Sequence, residues 1–190
     1  MKEIIQTIES YSYITRTKYN IDASDITAAF FVDDSTNGER QTKRLSEGDY
    51  VGIDVCRLST DGAAKLIYKK LLSLKLNRDI VLNIAGNGLH SIAQHPEYCI
   101  TQLWCNEFVY LTLRQLIEMT SRDLIKEIVS GGQTGFDLAG LVAAKKLGID
   151  YTATFPAGFK QRNRSGIDVY SSAGMIAAKL DEYVRELSEK

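Results

Sequence analysis

Short apolar runs alternate along the chain with stretches of helical period, and the alternation predicts strands and helices in turn. Ile26 to Val32 and Tyr50 to Val55 read as strands, being rich in β-branched and aromatic residues. Ile80 to Ile84 is an almost continuous apolar run that enters Gly86-Asn87-Gly88, the pattern of a strand buried on both faces of a parallel sheet. Ile125 to Val129 and Tyr151 to Phe155 complete the predicted strands. Between them, Asp61 to Leu76 sets Ala64, Ile67, Leu71, Leu72 and Leu74 at amphipathic spacing. Ile100 to Met119 is a long helix with Leu103, Trp104, Phe108, Leu111 and Leu116 toward the core. Leu138 to Leu147 stops at Gly148, a residue suited to a left-handed C-cap, after Lys145 and Lys146 have complemented the helix dipole. Ser171 to Leu187 is the last helix. At the start of the chain, Lys2 to Tyr11 places Ile4, Ile5 and Ile8 on one helical face, and Asp33 to Thr42 reads as a polar loop after the first strand. The fold class is therefore α/β, a three-layer Rossmann-like arrangement of a mostly parallel sheet with helices on both faces.

No Gly/Ser/Pro-rich linker interrupts this alternation, and Pro96 and Pro156 both fall where the apolar pattern breaks. The 190 residues are expected to form a single nucleotide-binding domain, 1–190, since domains run to roughly 100–200 residues. Lys and Arg number 23 against 24 Asp and Glu, a net charge of -1 that removes the basic field expected of a nonspecific nucleic-acid binder. No apolar stretch is long enough for a transmembrane helix, and Met1 to Gln6 lacks the apolar block of a secretory signal, so a cytoplasmic protein that does not engage a membrane is expected. Cys56, Cys99 and Cys105 form no Cys-x-x-Cys pair and are read as buried thiols. With only His90 and His95 besides, neither a metal nor another cofactor is needed.

The chemistry concentrates in Ser130-Gly131-Gly132-Gln133-Thr134-Gly135-Phe136-Asp137, between a predicted strand and a predicted helix. Glycines there permit positive φ and allow a ligand to approach backbone N–H groups. The first-turn N–H groups of the following helix favour phosphate by roughly 0.3–1 kcal/mol, and Ser130 and Thr134 offer hydroxyl donors. Asp137 either stabilises the helix start or contacts a ligand. The turn matches neither the lysine-containing NTPase loop nor the Gly-x-Gly-x-x-Gly dinucleotide pattern, which disfavours ATPase chemistry. Gly86, Asn87 and Gly88 repeat the strand-into-glycine logic and are expected to form a second wall of the same pocket. Arg162 and Arg164, in a loop with Lys160, are candidate clamps for phosphate or carboxylate. Arg40 and Thr42 complete the pocket if they face the sheet edge, where Asp33 and Asp34 offer paired carboxylates that read more simply as a surface turn. Trp104 is expected to pack in the core, with base stacking beside Asn106 as the alternative.

Ile128 to Asp137, Ala143 to Ile149 and Phe155-Pro-Ala-Gly158 together resemble the Rossmann-like SLOG superfamily, which joins DNA-processing protein A, the lonely-guy phosphoribohydrolases and the branch named as molybdenum carriers. The last branch is the most similar, through its Ser-Gly-Gly-Gln-Thr-Gly-x-Asp turn, and the likeness covers roughly the final third of the chain. It implies a nucleotide or nucleotide-derived ligand and a pocket of the kind related folds build across homo-oligomer interfaces. The Pro-Gly-Gly-x-Gly-Thr-x-x-Glu turn of the phosphoribohydrolases is missing, so their catalytic residues do not transfer. The glycine turn also lies late in the chain, as in a circularly permuted or N-terminally extended member.

The leading expectation is a binder of a nucleotide-derived, phosphate-containing small molecule, acting as sensor or sequestering protein. No Ser/His/Asp or Cys/His arrangement has catalytic spacing. The alternative is a nucleotide N-glycosidase or phosphoribohydrolase in which Asp137 or Glu39 assists departure of the base. A DNA-binding module is disfavoured by the net charge.

Overall fold

The apolar runs hydrogen-bond side by side because each carries backbone groups that only a neighbouring strand can satisfy in a dry interior. The computed structural model describes residues 1–74, 79–120 and 124–188. Within it lie β1 (Glu3–Thr7), β2 (Ile26–Phe31), β3 (Tyr50–Asp54), β4 (Ile80–Gly86), β5 (Ile125–Ser130) and β6 (Asp150–Phe155). Among the described residues they form one sheet in the order β1-β6-β5-β4-β2-β3, each neighbouring pair parallel. The helices are α1 (Tyr13–Asp22), α2 (Asn37–Leu45), α3 (Thr60–Leu74), α4 (Leu89–Ile92), α5 (Gln102–Met119), α6 (Phe136–Leu147) and α7 (Ala173–Glu186). A small antiparallel pair, β7 (Gln161–Arg162) and β8 (Asp168–Val169), lies outside the main sheet. The result is a three-layer, Rossmann-like α/β fold.

The two faces of the sheet differ in chemistry. Register places Ile26, Ala28 and Phe30 of β2 beside Leu82 and Ile84 of β4 and Val51 and Ile53 of β3, all buried. Against this apolar face α3, α5, α6 and α7 pack in a row, and α6 approaches so closely that a Cβ at Gly140 would lie 2.6 Å from Ile84 Cβ. The opposite face carries Thr27, Asn83, Thr152 and Thr154, and among the described residues α1 and α2 pack over it. Right-handed crossovers require this division, because connections running outward from β2 and those running back across the sheet must lie on opposite faces.

Several expectations need correction. Within the expected first helix, Glu3–Thr7 is a strand, because isoleucines at this spacing suit a pleated edge as well as a helix, and β6 offers an open ladder in which Ile5 pairs with Ala153. Asp33 to Thr42 is only partly a loop, since α2 begins at Asn37. In α5 the buried side is Cys105, Phe108, Val109, Leu113 and Leu116, and Leu103 and Leu111 are half-buried. Leu72 is exposed rather than core-facing, and residues 75 and 76 of the expected helix lie outside the described residues. Of the three cysteines expected to be buried, Cys105 is, Cys56 is half-buried and Cys99 is exposed. The predicted end of α6 at Gly148 is present, with Gly148 left-handed at φ 71°. Among the described residues no helix is long and apolar enough to cross a membrane.

Candidate functional site

The layer made by α1 and α2 is inverted in polarity. The buried residues of α1 are Arg16 and Asn20, and those of α2 are Glu39 and Thr42, whereas Ile14 and Tyr19 are 53% and 46% exposed. A helix that buries polar groups and exposes apolar ones needs polar partners inside, and the sheet face beneath supplies Thr27 and Asn83, joined by a 3.1 Å bond from Asn83 Nδ2 to Thr27 Oγ1. The two helices do not close over this floor. Between them and the carboxyl ends of β4 and β5 lies a cleft of about 730 Å³, within the range of small-molecule sites. It opens where the connection from β2 runs to one side and the connection from β4 to the other, the switch point at which open α/β sheets place ligands.

At the inner end of the cleft, Arg16 Nη1 donates to Asp137 Oδ2 at 2.6 Å, with both side chains nearly inaccessible to solvent. Burial pushes the Asp137 carboxyl up, and the Arg16 guanidinium with the N–H groups of Gly86 and Gln133 opposes that push. The guanidinium passes so close to the glycine turn that a Cβ at Gly131 would lie 1.2 Å from Arg16 Nη1. Gly131 is glycine so that Arg16 can reach Asp137. Arg16 Nε and Asn20 Oδ1, both buried here, have no hydrogen-bond partner among the described residues. Desolvated groups left unpaired are costly, so each calls for an explanation.

Glu39 forms the opposite wall. It stands three residues after the N-cap Thr36, the spacing of a capping box, and Thr36 Oγ1 accepts from the Glu39 N–H at 3.2 Å. The reciprocal half is not made. The Glu39 carboxyl instead turns inward and accepts from the Tyr50 hydroxyl at 2.6 Å. Burial raises it to about 7; the Tyr50 hydrogen bond opposes the rise, and the negative charges of Asp137 and Asp34 add to it.

The structure brings six of the expected site residues to the cleft: Gly86, Asn87, Gly88, Gln133, Asp137 and Arg162. Asn87 is bound up in the fold, its Oδ1 accepting from the Val32 and Asp33 N–H groups and its Nδ2 donating to the Asp33 carbonyl. Ser130, Gly131, Gly132, Thr134, Gly135 and Arg164 do not line it. The Ser130 hydroxyl is fully buried between the carbonyls of Ile84 and Asp137, and the Thr134 hydroxyl donates to the Arg162 carbonyl at 2.7 Å. The Gly135 N–H donates to Gln102 Oε1 at 2.7 Å, and Gln102 Nε2 returns a bond to the Gly135 carbonyl. The Phe136 and Leu138 N–H groups are taken by the carbonyls of Asn87 and Gln133. Of the donors expected to cradle phosphate at the start of α6, the N–H groups of Gly135, Phe136 and Leu138 are thus engaged within the protein. Arg164 donates to the Ile100 carbonyl. Trp104 is half-buried, stacked on Phe108 at the edge of the core, and Asn106 is fully buried beside Gln102.

Cationic side chains stand at the rim. Arg40 and Arg44 are exposed along α2 and line the cleft, whereas Thr42 is buried with its hydroxyl on the Gly38 carbonyl. Arg162 donates to Asp168 at 2.9 Å, and Asp168 also accepts from Tyr13 and pairs with Lys160, which together hold its carboxyl well below the usual range. Through Tyr13 the β7–β8 hairpin is pinned to α1. Arg16, Asn20, Tyr13 and Asn83 were not anticipated as site residues. No hydrophobic period points to α1, and the only local signal is Ser12, whose hydroxyl caps the helix by accepting from Thr15.

No family model, curated protein or solved structure matches the chain.

Proposed function

We propose that the protein binds a nucleotide or nucleotide-derived, phosphate-containing small molecule in the cleft between α1, α2 and the carboxyl ends of β4 and β5, as a sensor or sequestering protein. The observation that carries this reading is the inverted helical layer: Arg16, Asn20 and Glu39 are buried around an open volume of about 730 Å³ at the sheet's switch point. Arg40 and Arg44 at the rim suit the anionic part of such a ligand, and the inner amides and carboxyls suit a hydrogen-bonding head. The likeness of Ile128 to Asp137 to the SLOG superfamily points the same way. The test is to incubate the protein with mononucleotides, ADP-ribose and cyclic nucleotides, denature it and identify what is released. Stoichiometric recovery of one intact compound supports the reading. Failure of every compound to bind or change overturns it.

One observation favours a second reading, hydrolysis of an N-glycosidic bond. A carboxyl raised to about 7 inside a cleft has the proton affinity of a general acid, and Glu39 is that group. Release of free base and sugar phosphate in the same experiment, lost in Glu39→Gln, selects the enzyme.

A further inference from the structure

The inner end of the cleft is walled by Arg16 and Asn20, one helical turn apart on α1, and by Glu39 on α2. Each carries a polar atom that is uncommitted among the described residues. The Tyr50 hydroxyl occupies one oxygen of the Glu39 carboxyl, and the other accepts no hydrogen bond. Asn20, 2% exposed, has an acceptor without a partner in its Oδ1, and Arg16, 7% exposed, has a donor without one in its Nε. A ligand that displaces water from this end must therefore bring donors for two acceptors and an acceptor for one donor.

Charge and shape narrow its chemistry. A phosphate or carboxylate would face the carboxyls of Glu39 and Asp137, with Arg16 already paired to the second. An ammonium has nothing to accept the Arg16 Nε proton and meets the positive charge of the same guanidinium. A base needs a flat face to stack on, and the aromatic rings lining the cleft, Tyr13 and His90, are engaged elsewhere. Lys160 and Arg162 stand over the Tyr13 ring at 4.6 and 5.4 Å, and His90 lies so near the β7–β8 loop that a Cβ at Gly166 would be 2.8 Å from it. A hydroxyl fits all three open atoms, because it donates and accepts at once. It also rotates to donate to an ionised carboxyl or to accept from a protonated one, so the pairing holds in either state of Glu39. Resting on the nucleotide reading above, we infer that the inner end of the cleft is a ribose subsite, in which Glu39 and Asn20 pair with the two vicinal hydroxyls of the sugar and Arg16 Nε donates to one of them. Ribonucleotides are thereby admitted and deoxyribonucleotides rejected, and the phosphate is left to the outer part of the cleft.

The experiment is calorimetric titration of the full chain with AMP, 2′-deoxy-AMP, 3′-deoxy-AMP, 2′,3′-dideoxy-AMP, ribose 5-phosphate and 2-deoxyribose 5-phosphate. Loss of one hydroxyl should weaken binding about tenfold and loss of both about 100-fold, because each removal leaves a buried protein group unpaired. Glu39→Leu and Asn20→Leu, which remove the partners from the protein side, should each shrink the ratio of AMP to dideoxy-AMP affinity to about tenfold. Glu39→Gln, which keeps an acceptor, should hold that ratio within about threefold of wild type. Circular dichroism of each variant confirms folding, and the wild-type series needs no variant. Wild-type affinities for the four nucleotides within about threefold of one another overturn the inference and leave the nucleotide reading standing. Full discrimination retained in both Leu variants likewise overturns the assignment of the hydroxyls to Glu39 and Asn20. If ribose 5-phosphate binds more tightly than its 2-deoxy analogue while no nucleotide binds, the sugar subsite stands and the nucleotide reading falls. If none of the six compounds binds, both fall together.

Discussion

Replacing Arg16 by Met tests the cleft's inner end directly. Met keeps the apolar stem and removes the guanidinium, so Asp137 is left buried with only the N–H groups of Gly86 and Gln133. Removing one partner of a buried pair costs about 3–5 kcal/mol, and the two retained N–H donors place the expectation at about 3 kcal/mol. For a chain of this size that lowers Tm by roughly 6–12 °C. The loss has a pH signature. Without Arg16 the folded-state carboxyl is raised further above its unfolded value, so the penalty is full at neutral pH and shrinks as falling pH protonates it. Urea unfolding of wild type and variant at about pH 5 and about pH 8 should therefore give a smaller difference at the lower pH. Gly131 supplies an independent check. In wild type, Gly131→Ala forces a Cβ against Arg16 Nη1, whereas in the Met background that clash is removed and Asp137 Oδ2, 2.6 Å from the Cβ, remains. A coupling of about 1–2 kcal/mol between the two substitutions is expected. A loss below about 1 kcal/mol in Arg16→Met, or a difference that widens as pH falls, would refute the assignment of Arg16 as the group that keeps Asp137 buried and charged.

Glu39 is raised in the folded state from 4.5 to about 7, so the stability tied to its proton is complete below 4.5 and is lost as pH rises through about 7. Glu39→Gln should remove that decline and exceed wild type by up to about 3 kcal/mol above pH 8, read from urea unfolding as a function of pH. Gly135→Ala puts a Cβ 2.3 Å from the Asn87 carbonyl at φ 89° and should cost well over 1 kcal/mol in the same assay. Gln102→Ala strands the Gly135 N–H in the core, while the Gly135 carbonyl keeps the Ala139 N–H, for an expected loss of about 1–3 kcal/mol, with the AMP affinity of the remaining folded protein little changed because Gln102 lies outside the cleft. Asp168→Asn weakens the joint between Arg162, Lys160 and Tyr13, and limited proteolysis should then cut within 160–170 at protease levels that leave wild type intact.

The strands and the apolar helical layer were legible because Ile26, Phe30, Leu82, Ile84 and Ile128 carry an unbroken apolar signal to a single face, and α3, α5, α6 and α7 answer it. The layer that forms the cleft was not, for the opposite reason. Tyr13, Arg16 and Asn20 recur at helical spacing as polar residues facing inward, and Ile14 and Tyr19 face out, so a search for an apolar stripe finds nothing there. Thr36-Asn-Gly-Glu39 did carry a readable helix start, the capping-box spacing, which marks α2 without any reference to hydrophobicity. The glycine turn was recognisable as special, but its partner was out of reach: Arg16 lies 121 residues away, and no local pattern connects the two.

That distance explains why one motif admits two physical readings. A missing Cβ at the start of a strand-to-helix turn opens space beside the backbone, and the space can be filled by a ligand or by another side chain. Here Arg16 fills it. The anion near the positive end of α6 is likewise internal: Asp137 accepts the Gln133 N–H, and the N–H groups of Gly135, Phe136 and Leu138 have their own partners. The turn thereby holds a charged pair at the inner end of the cleft, and Arg40 and Arg44 stand exposed at its rim, so the two places for an anion give different expectations. Exposed guanidinium groups are screened by salt, with a Debye length of about 8 Å at physiological ionic strength, whereas a dry backbone cradle is screened far less. Ribose 5-phosphate affinity that falls steeply with added salt and is weakened by Arg40→Gln places the anion at the rim; affinity indifferent to both returns it to the glycine turn.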